Sequence, residues 1–97
     1  MSYETFTVEH QRRLILEVLA QQPQYTQNQL LIKQALYMQG QGVSIDKVMT
    51  HLAWLAEQGA VTLDSFGGFS VAKLTARGLD IAQGLADVPG IAKLGLV

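Results

Sequence analysis

The chain lacks cysteine altogether and is poor in charged residues. The absence of cysteine from its 97 residues excludes disulfides, thiolate metal sites and a cysteine nucleophile. Its two histidines, His10 and His51, could not hold zinc without carboxylate help, so we expect no metal site. Charged residues make up 15% of the chain, with seven Lys and Arg against eight Asp and Glu. This balance lacks the basic excess that is typical of a free-standing nucleic-acid-binding domain.

Long hydrophobic runs and recognisable catalytic groupings are also missing. No apolar stretch approaches the roughly 20 residues of a membrane span, and the first residues lack the basic-then-apolar pattern of a signal peptide. We therefore expect a cytoplasmic protein without membrane contact. No Ser/His/Asp arrangement, glycine-rich phosphate loop or carboxylate cluster is recognisable, so we predict neither an enzyme nor a cofactor.

What the chain has in abundance is apolar side chains, which make up 48% of its residues. Its length suits one folded domain spanning residues 1–97 and leaves no room for two independent cores. The apolar content exceeds what one very small core needs, which favours association with a partner, most simply a second copy.

Capping residues and hydrophobic periodicity predict a first and a second helix. The first is expected at about 8–21, with Thr7 as its N-cap, and ends before Pro23. The second is expected to start at a capping box led by Thr26, and Gly40 suits the left-handed residue that ends a helix.

The third predicted helix gives the clearest amphipathic signal in the chain. Ser44 is a strong N-cap, and Gly59 marks the end. Between them, apolar residues recur at spacings of three and four and share one arc: Ile45, Val48, Met49, Leu52, Leu55 and Ala56.

A hairpin and a fourth helix follow. Alternating residues at 61–63 and 69–71 predict two strands, and Gly67-Gly68 tolerates the positive φ of a tight turn. We expect this hairpin at about 61–72, a fourth helix at about 75–86 capped by Thr75, and an apolar tail at 88–97.

This order of elements is that of a winged helix-turn-helix, a mainly α protein with a small β-hairpin (α+β). The helix-turn-helix would cover about 26–58, and the hairpin would be the wing. Residues 43–61 resemble the recognition-helix segment of ArsR-type winged-helix regulators, through His51, Leu52, Leu55, Gly59 and Val61. The run 74–79 resembles the wing-to-helix junction of many winged-helix regulators. The whole chain, including Val88-Pro89-Gly90, resembles the small ArsR-like winged-helix proteins of Mu-type prophages. The resemblance implies DNA binding and transcription regulation, without the metal response for which sensing members use cysteines.

The third helix is the candidate site for DNA. With its apolar stripe inward, Lys47, Thr50 and His51 would point outward and read base edges in the major groove. Backbone contacts are expected from Ser44, Lys33, Lys73 and Arg77, and from the wing residues Ser65, Phe66, Gly67 and Gly68.

Several roles stay open at this point. Trp54 could pack under the wing or against the first helix, anchor a protein partner, or contact nucleic acid directly. His51 could cap or pack at the domain edge, and Arg12-Arg13 could be phosphate contacts or solvated charge. The near-neutral charge, the low basicity of the outward arc, and Trp54 with Phe66 favour an alternative function, a protein-protein interaction or assembly module without DNA binding.

The first and fourth helices carry apolar residues on more than one side. Leu14 and Leu16 flank the stripe of the first helix, while Ile81 and Leu85 lie well around the fourth helix from Leu79. We therefore predict a homodimer through the first and fourth helices and the tail, bound to a roughly palindromic double-stranded site.

Overall fold

A computed structural model describes residues 2–94 and confirms the predicted fold class. Within this range, four α-helices, a short 3-10 helix (Pro23–Tyr25) and a three-stranded antiparallel sheet form a winged-helix-like α+β arrangement. The elements are α1 (Tyr3–Ala20), β1 (Thr26–Asn28), α2 (Gln29–Met38), α3 (Ile45–Glu57), β2 (Val61–Phe66), β3 (Phe69–Leu74) and α4 (Ala76–Ala82).

The first helix begins five residues earlier than its apolar pattern indicates. Ser2 is the N-cap, and its Oγ accepts a hydrogen bond from the Thr5 amide at 3.0 Å. The predicted cap at Thr7 is therefore wrong; its hydroxyl donates to the Tyr3 carbonyl inside the helix instead. The added turn was missed because its aromatic residues, Tyr3 and Phe6, are exposed and extend no buried stripe.

The start of α2 also differs from the prediction. Asn28 is the N-cap, with its Oδ1 accepting from the Leu31 amide at 2.9 Å, so the capping box at Thr26 is wrong. Residues Thr26–Asn28 instead form β1, which pairs antiparallel with β3 and gives the sheet order β1-β3-β2.

The third helix follows the prediction at both ends. The Ser44 Oγ accepts from the Lys47 amide at 3.1 Å, and Gly59 has a φ of 74° just after the helix. Val48, Leu52 and Leu55 are fully buried, so one side of α3 anchors it in the core.

The hairpin is confirmed, with longer strands than predicted. The register runs from Val61 opposite Leu74 to Phe66 opposite Phe69. Gly67 and Gly68 form the turn with φ of 56° and 86°, the positive values that the pair was expected to supply.

The chain after β3 covers the core rather than reaching outward. Thr75 caps α4 as predicted, but the helix ends at Ala82 rather than near 86. Val88 and Ile91 then bury their side chains in the core, and the Ala92 amide donates to the Glu9 carbonyl of α1. The tail through residue 94 therefore packs on its own chain, and the remainder of the predicted tail lies outside the described residues.

Most of the apolar side chains of α1 and α4 that were expected to need a partner are buried by this packing within the chain. Leu14, Leu16 and Ile81 are all buried within the chain, so the expectation that these side chains need a partner is wrong. Of the residues named for the predicted dimer interface, Leu85 is the one that is largely exposed.

Candidate nucleic-acid interface

The exposed side of α3 carries fewer of the predicted contact residues than the sequence indicates. Lys47, Thr50, Asp46 and Glu57 are exposed, and the Thr50 hydroxyl donates to the Asp46 carbonyl at 3.0 Å. Lys47 and Thr50 lie in the N-terminal half of the helix, next to its capped end. One cation and two carboxylates therefore share the exposed flank.

His51 does not belong to that flank, and its predicted outward orientation is wrong. Its side chain is only 1% exposed, and Nε2 donates to Gln11 Oε1 at 2.8 Å. Gln11 in turn donates from Nε2 to Gln41 Oε1 at 3.1 Å. His51 lies beside the apolar stripe, where α1 covers it, so packing at the domain edge is the correct alternative.

The surroundings of His51 keep its ring neutral. Burial, with smaller contributions from the charges of Lys47 and Arg12, lowers the pKa of His51 from 6.5 to about 4. A neutral imidazole needs only one donor and one acceptor interaction, which the contact with Gln11 partly supplies. The residue links α1 to α3 and has no access to a base edge.

Trp54 is covered by the first helix and the C-terminal segment. The Arg12 guanidinium carbon lies 3.8 Å from the centroid of the Trp54 ring, a cation-π contact. Arg12 Nη1 also donates to the Gly90 carbonyl at 2.9 Å. A Cβ at Gly90, whose φ is 97°, would come within 2.7 Å of the ring. The interpretation of Trp54 as a residue packed against the first helix is confirmed.

Arg13 is buried, contrary to both interpretations of the Arg12-Arg13 pair. It is 5% exposed. Its Nη2 donates to the Ile81 carbonyl at 2.9 Å, Nη1 to the Ala82 carbonyl at 3.3 Å, and Nε to the Ala92 carbonyl. It also forms an ion pair with Glu17 at 3.4 Å. No local signal could have found this role, because the acceptors lie far along the chain.

The remaining candidate residues are spread around α3. Lys73 is exposed on β3, opposite Thr26 on one side and Thr62 on the other. Arg77 is exposed and donates from Nε to the Gln58 carbonyl at 2.9 Å, at the end of α3. Lys33 is half-buried on α2, and Ser44 caps α3. The wing residues Ser65, Phe66, Gly67 and Gly68 are all exposed.

The cations available to a ligand are fewer than the composition indicates. Of seven Lys and Arg, Arg12 and Arg13 are engaged inside the chain, which leaves five. Eight carboxylates oppose them. Any phosphate-binding surface of one chain must therefore be small and local.

Two further features concern other classes of site. An open groove of about 590 Å³ lies between α1 and the C-terminal segment, lined mainly by apolar groups that include Phe6, Val88 and Ile91. Across residues 2–94, no three His, Asp or Glu side chains converge to hold a metal ion. No helix in that part of the chain combines the length and apolar character needed to cross a membrane.

Two phage and bacterial proteins are similar to this chain. It is 42% identical over 64 residues to the uncharacterized protein gp26 of Escherichia phage Mu, covering 66% of this chain and 67% of gp26. It is 38% identical over 80 residues to an uncharacterized protein of Haemophilus influenzae, covering 81% of this chain and 78% of that protein. No family model matches the sequence. No solved structure matches it either.

Proposed function

The chain belongs to the family of phage Mu gp26 and its Haemophilus influenzae relative, and from this premise we propose that it is an ArsR-like winged-helix regulator that binds double-stranded DNA. The observation that carries the proposal is the exposure of Lys47 and Thr50 in the N-terminal half of α3, while the opposite side of the helix is fixed in the core.

The position of these two side chains suits the way a helix-turn-helix meets DNA. The recognition helix enters the major groove with its N-terminal residues against the base edges. Lys47 can donate to guanine acceptors, and the Thr50 methyl can contact a thymine methyl while its hydroxyl bonds to the Asp46 carbonyl. His51 is buried and Trp54 is half-buried, so Lys47 and Thr50 are the candidate residues on α3 itself that stay exposed.

Few cations support the contact, so the affinity should be modest and its salt dependence shallow. Lys33, Lys73 and Arg77 are the candidates for phosphate contact. Three phosphate contacts correspond to a slope of roughly −3 per protomer in a plot of log affinity against log salt. A dimer would double the number of contacts and place two half-sites about 34 Å apart.

A salt titration with matched lysine variants tests the proposal. Binding to duplex DNA is measured by fluorescence anisotropy for the wild type, Lys47→Ala, Lys73→Ala and Lys93→Ala. We expect Lys47→Ala to weaken binding and to relax its sequence preference. Lys73→Ala should weaken binding to all sequences and reduce the slope by about one.

Lys93→Ala is the control, because Lys93 is an exposed lysine in the C-terminal segment, outside the proposed interface. Equal losses for all three lysine variants would point to non-specific attraction. Absence of binding at low salt would remove the DNA-binding proposal.

A second candidate function is the protein-interaction module, and one observation favours it specifically. Asp46 and Glu57 stand on the exposed flank of α3, while Arg12 and Arg13 are withdrawn into the chain. Glu57→Gln separates the two functions. It should strengthen DNA binding if α3 approaches phosphates, because it removes a like-charge repulsion. It should leave weak DNA binding unchanged if the partner is a protein.

A further inference from the structure

The exposed side of α2 is apolar, although the opposite side of the same helix is fully buried. Ile32 and Leu36 face the core with no exposed surface. At 3.6 residues per turn, the residues on the other side share one arc of about 120°. They are Leu30, Leu31, Gln34, Tyr37 and Met38, here called the α2 face. Leu30 is 48% exposed, Leu31 51%, Tyr37 67% and Met38 75%.

The α2 face is large for the surface of so small a protein. The exposed fractions of its four apolar side chains correspond to roughly 500 Å², near the upper end of the largest apolar patch on a typical monomer. Within residues 2–94, each of these four side chains keeps about half of its surface or more exposed. A patch of this size marks an interaction site more often than a solvated surface.

The α2 face also carries no charge. Between Val18 and Ile45, Lys33 is the one charged residue, and it is half-buried at the margin of the arc. A nucleic acid needs cations on the surface that it touches, and a charged protein partner needs charges of the opposite sign. The α2 face offers neither.

We propose that the occupant of the α2 face is the α2 face of a second copy of this chain, related by a two-fold axis. A two-fold interface places the same patch against itself, so any net charge on it would repel its own image. An uncharged apolar arc is free of that repulsion and is complementary to itself.

Gln34, at the middle of the arc, strengthens the case for a second copy. A side-chain amide has both donors and an acceptor. Two Gln34 amides that meet across a two-fold axis can therefore each donate to the other. A polar residue amid apolar contacts also fixes the register of two paired helices, as a single asparagine does in coiled coils.

The α2 face supplies roughly 500 Å² of apolar surface, which is more than half of what each partner buries in a standard interface. A standard interface buries about 800 Å² on each partner, and exposed glutamine at position 39 can extend the apolar patch with a polar rim. This interface differs from the predicted one through the first and fourth helices, most of whose apolar residues are buried within the chain. It does not depend on DNA binding.

The absence of cysteine allows a direct test by cross-linking. Gln34→Cys introduces a single thiol at the centre of the proposed interface. Gln83→Cys places one at an equally exposed position just after α4. Under mild oxidation at micromolar concentration, we expect Gln34→Cys to give a disulfide-linked dimer and Gln83→Cys to remain predominantly a monomer on a non-reducing gel.

Sedimentation equilibrium provides the second measurement. Met38→Lys places two like charges at the contact, and it should weaken dimerisation at least about tenfold. Leu85→Lys, at an equally exposed leucine in the segment after α4, should leave dimerisation unchanged. Far-ultraviolet circular dichroism checks that both variants fold.

The outcomes separate the possible partners of this face. A wild type that is monomeric throughout the micromolar range would overturn the proposal and leave the α2 face to a different partner. A dimer that Leu85→Lys disrupts and Met38→Lys does not would overturn it in favour of the surface near α4.

Discussion

Acidification should destabilise this protein through one side chain, His51. Its ring is buried against Gln11, and its pKa is lowered from 6.5 to about 4, mainly by burial. Unfolding exposes the ring to water and restores an ordinary pKa. Between these two values the unfolded state binds a proton that the folded state does not, so the free energy of unfolding must decrease as the pH falls.

The size of the effect follows from the two pKa values. At pH 7.5 the His51 ring is neutral in both the folded and the unfolded state, so the free energy of unfolding is almost unaffected. At pH 5 the free energy of unfolding is lower than at pH 7.5 by about 2 kcal/mol. Well below pH 4 this decrease levels off at roughly 3 kcal/mol. For a small domain this is a large part of the total stability.

His51→Gln is the matched variant, because an amide can still bond to Gln11 but does not titrate in this range. Urea unfolding is measured for both proteins at several pH values between 7.5 and 5. All other ionisable groups are the same in the two proteins, so their contribution to the pH dependence cancels in the difference. We expect the variant to gain about 2 kcal/mol relative to the wild type on acidification. A difference that stays constant with pH would refute the assignment of a buried neutral His51.

Three further substitutions test the packing. Arg13→Met should lower the free energy of unfolding by about 3 kcal/mol or more, because it leaves buried carbonyls without a donor and Glu17 without its partner. A loss below about 1 kcal/mol in urea unfolding would contradict a stabilising role for the Arg13 hydrogen bonds. Gly78→Ala should cost about 3 kcal/mol, since a Cβ there would lie 2.1 Å from the Ala60 carbonyl oxygen; an unchanged melting temperature would contradict that contact. Gln24→Gly should stabilise the protein by about 0.5 kcal/mol, because Gln24 has a φ of 56° that glycine adopts without strain; any destabilisation would show that its side chain has a role.

The parts of the fold that were predictable are those determined by neighbouring residues. The limits of α3 depend on a cap at Ser44, a left-handed glycine at Gly59 and an apolar stripe between them, all within one short segment. The wing turn at Gly67-Gly68 is equally local. For these elements the prediction and the structure agree.

The parts that were missed depend on partners distant in sequence. β1 is three polar residues long, and it is a strand only because β3 lies beside it. Arg13 looked like surface charge, because the carbonyls that bury it belong to α4 and the segment beyond.

The same limit applies to the candidate site. The exposure of Lys47 and Thr50 follows from the periodicity of α3, and both are exposed as predicted. His51 lies at the margin of the apolar stripe. At that position a helical wheel does not predict whether the side chain is exposed to solvent or packed against another element. The packing of α1 decides it, through Gln11.

The strand order of the sheet has a consequence for how the molecule forms. β3, the last strand in the sequence, lies at the centre, with β2 and β1 on its two sides. The β2-β3 ribbon can close at once through its two-residue turn, whereas β1 must reach β3 from beyond two intervening helices, and longer closures are slower. We expect β1 to dock late in folding and its few amides to exchange with solvent deuterium well before those between β2 and β3. The short strand is thus the point at which the native sheet opens first.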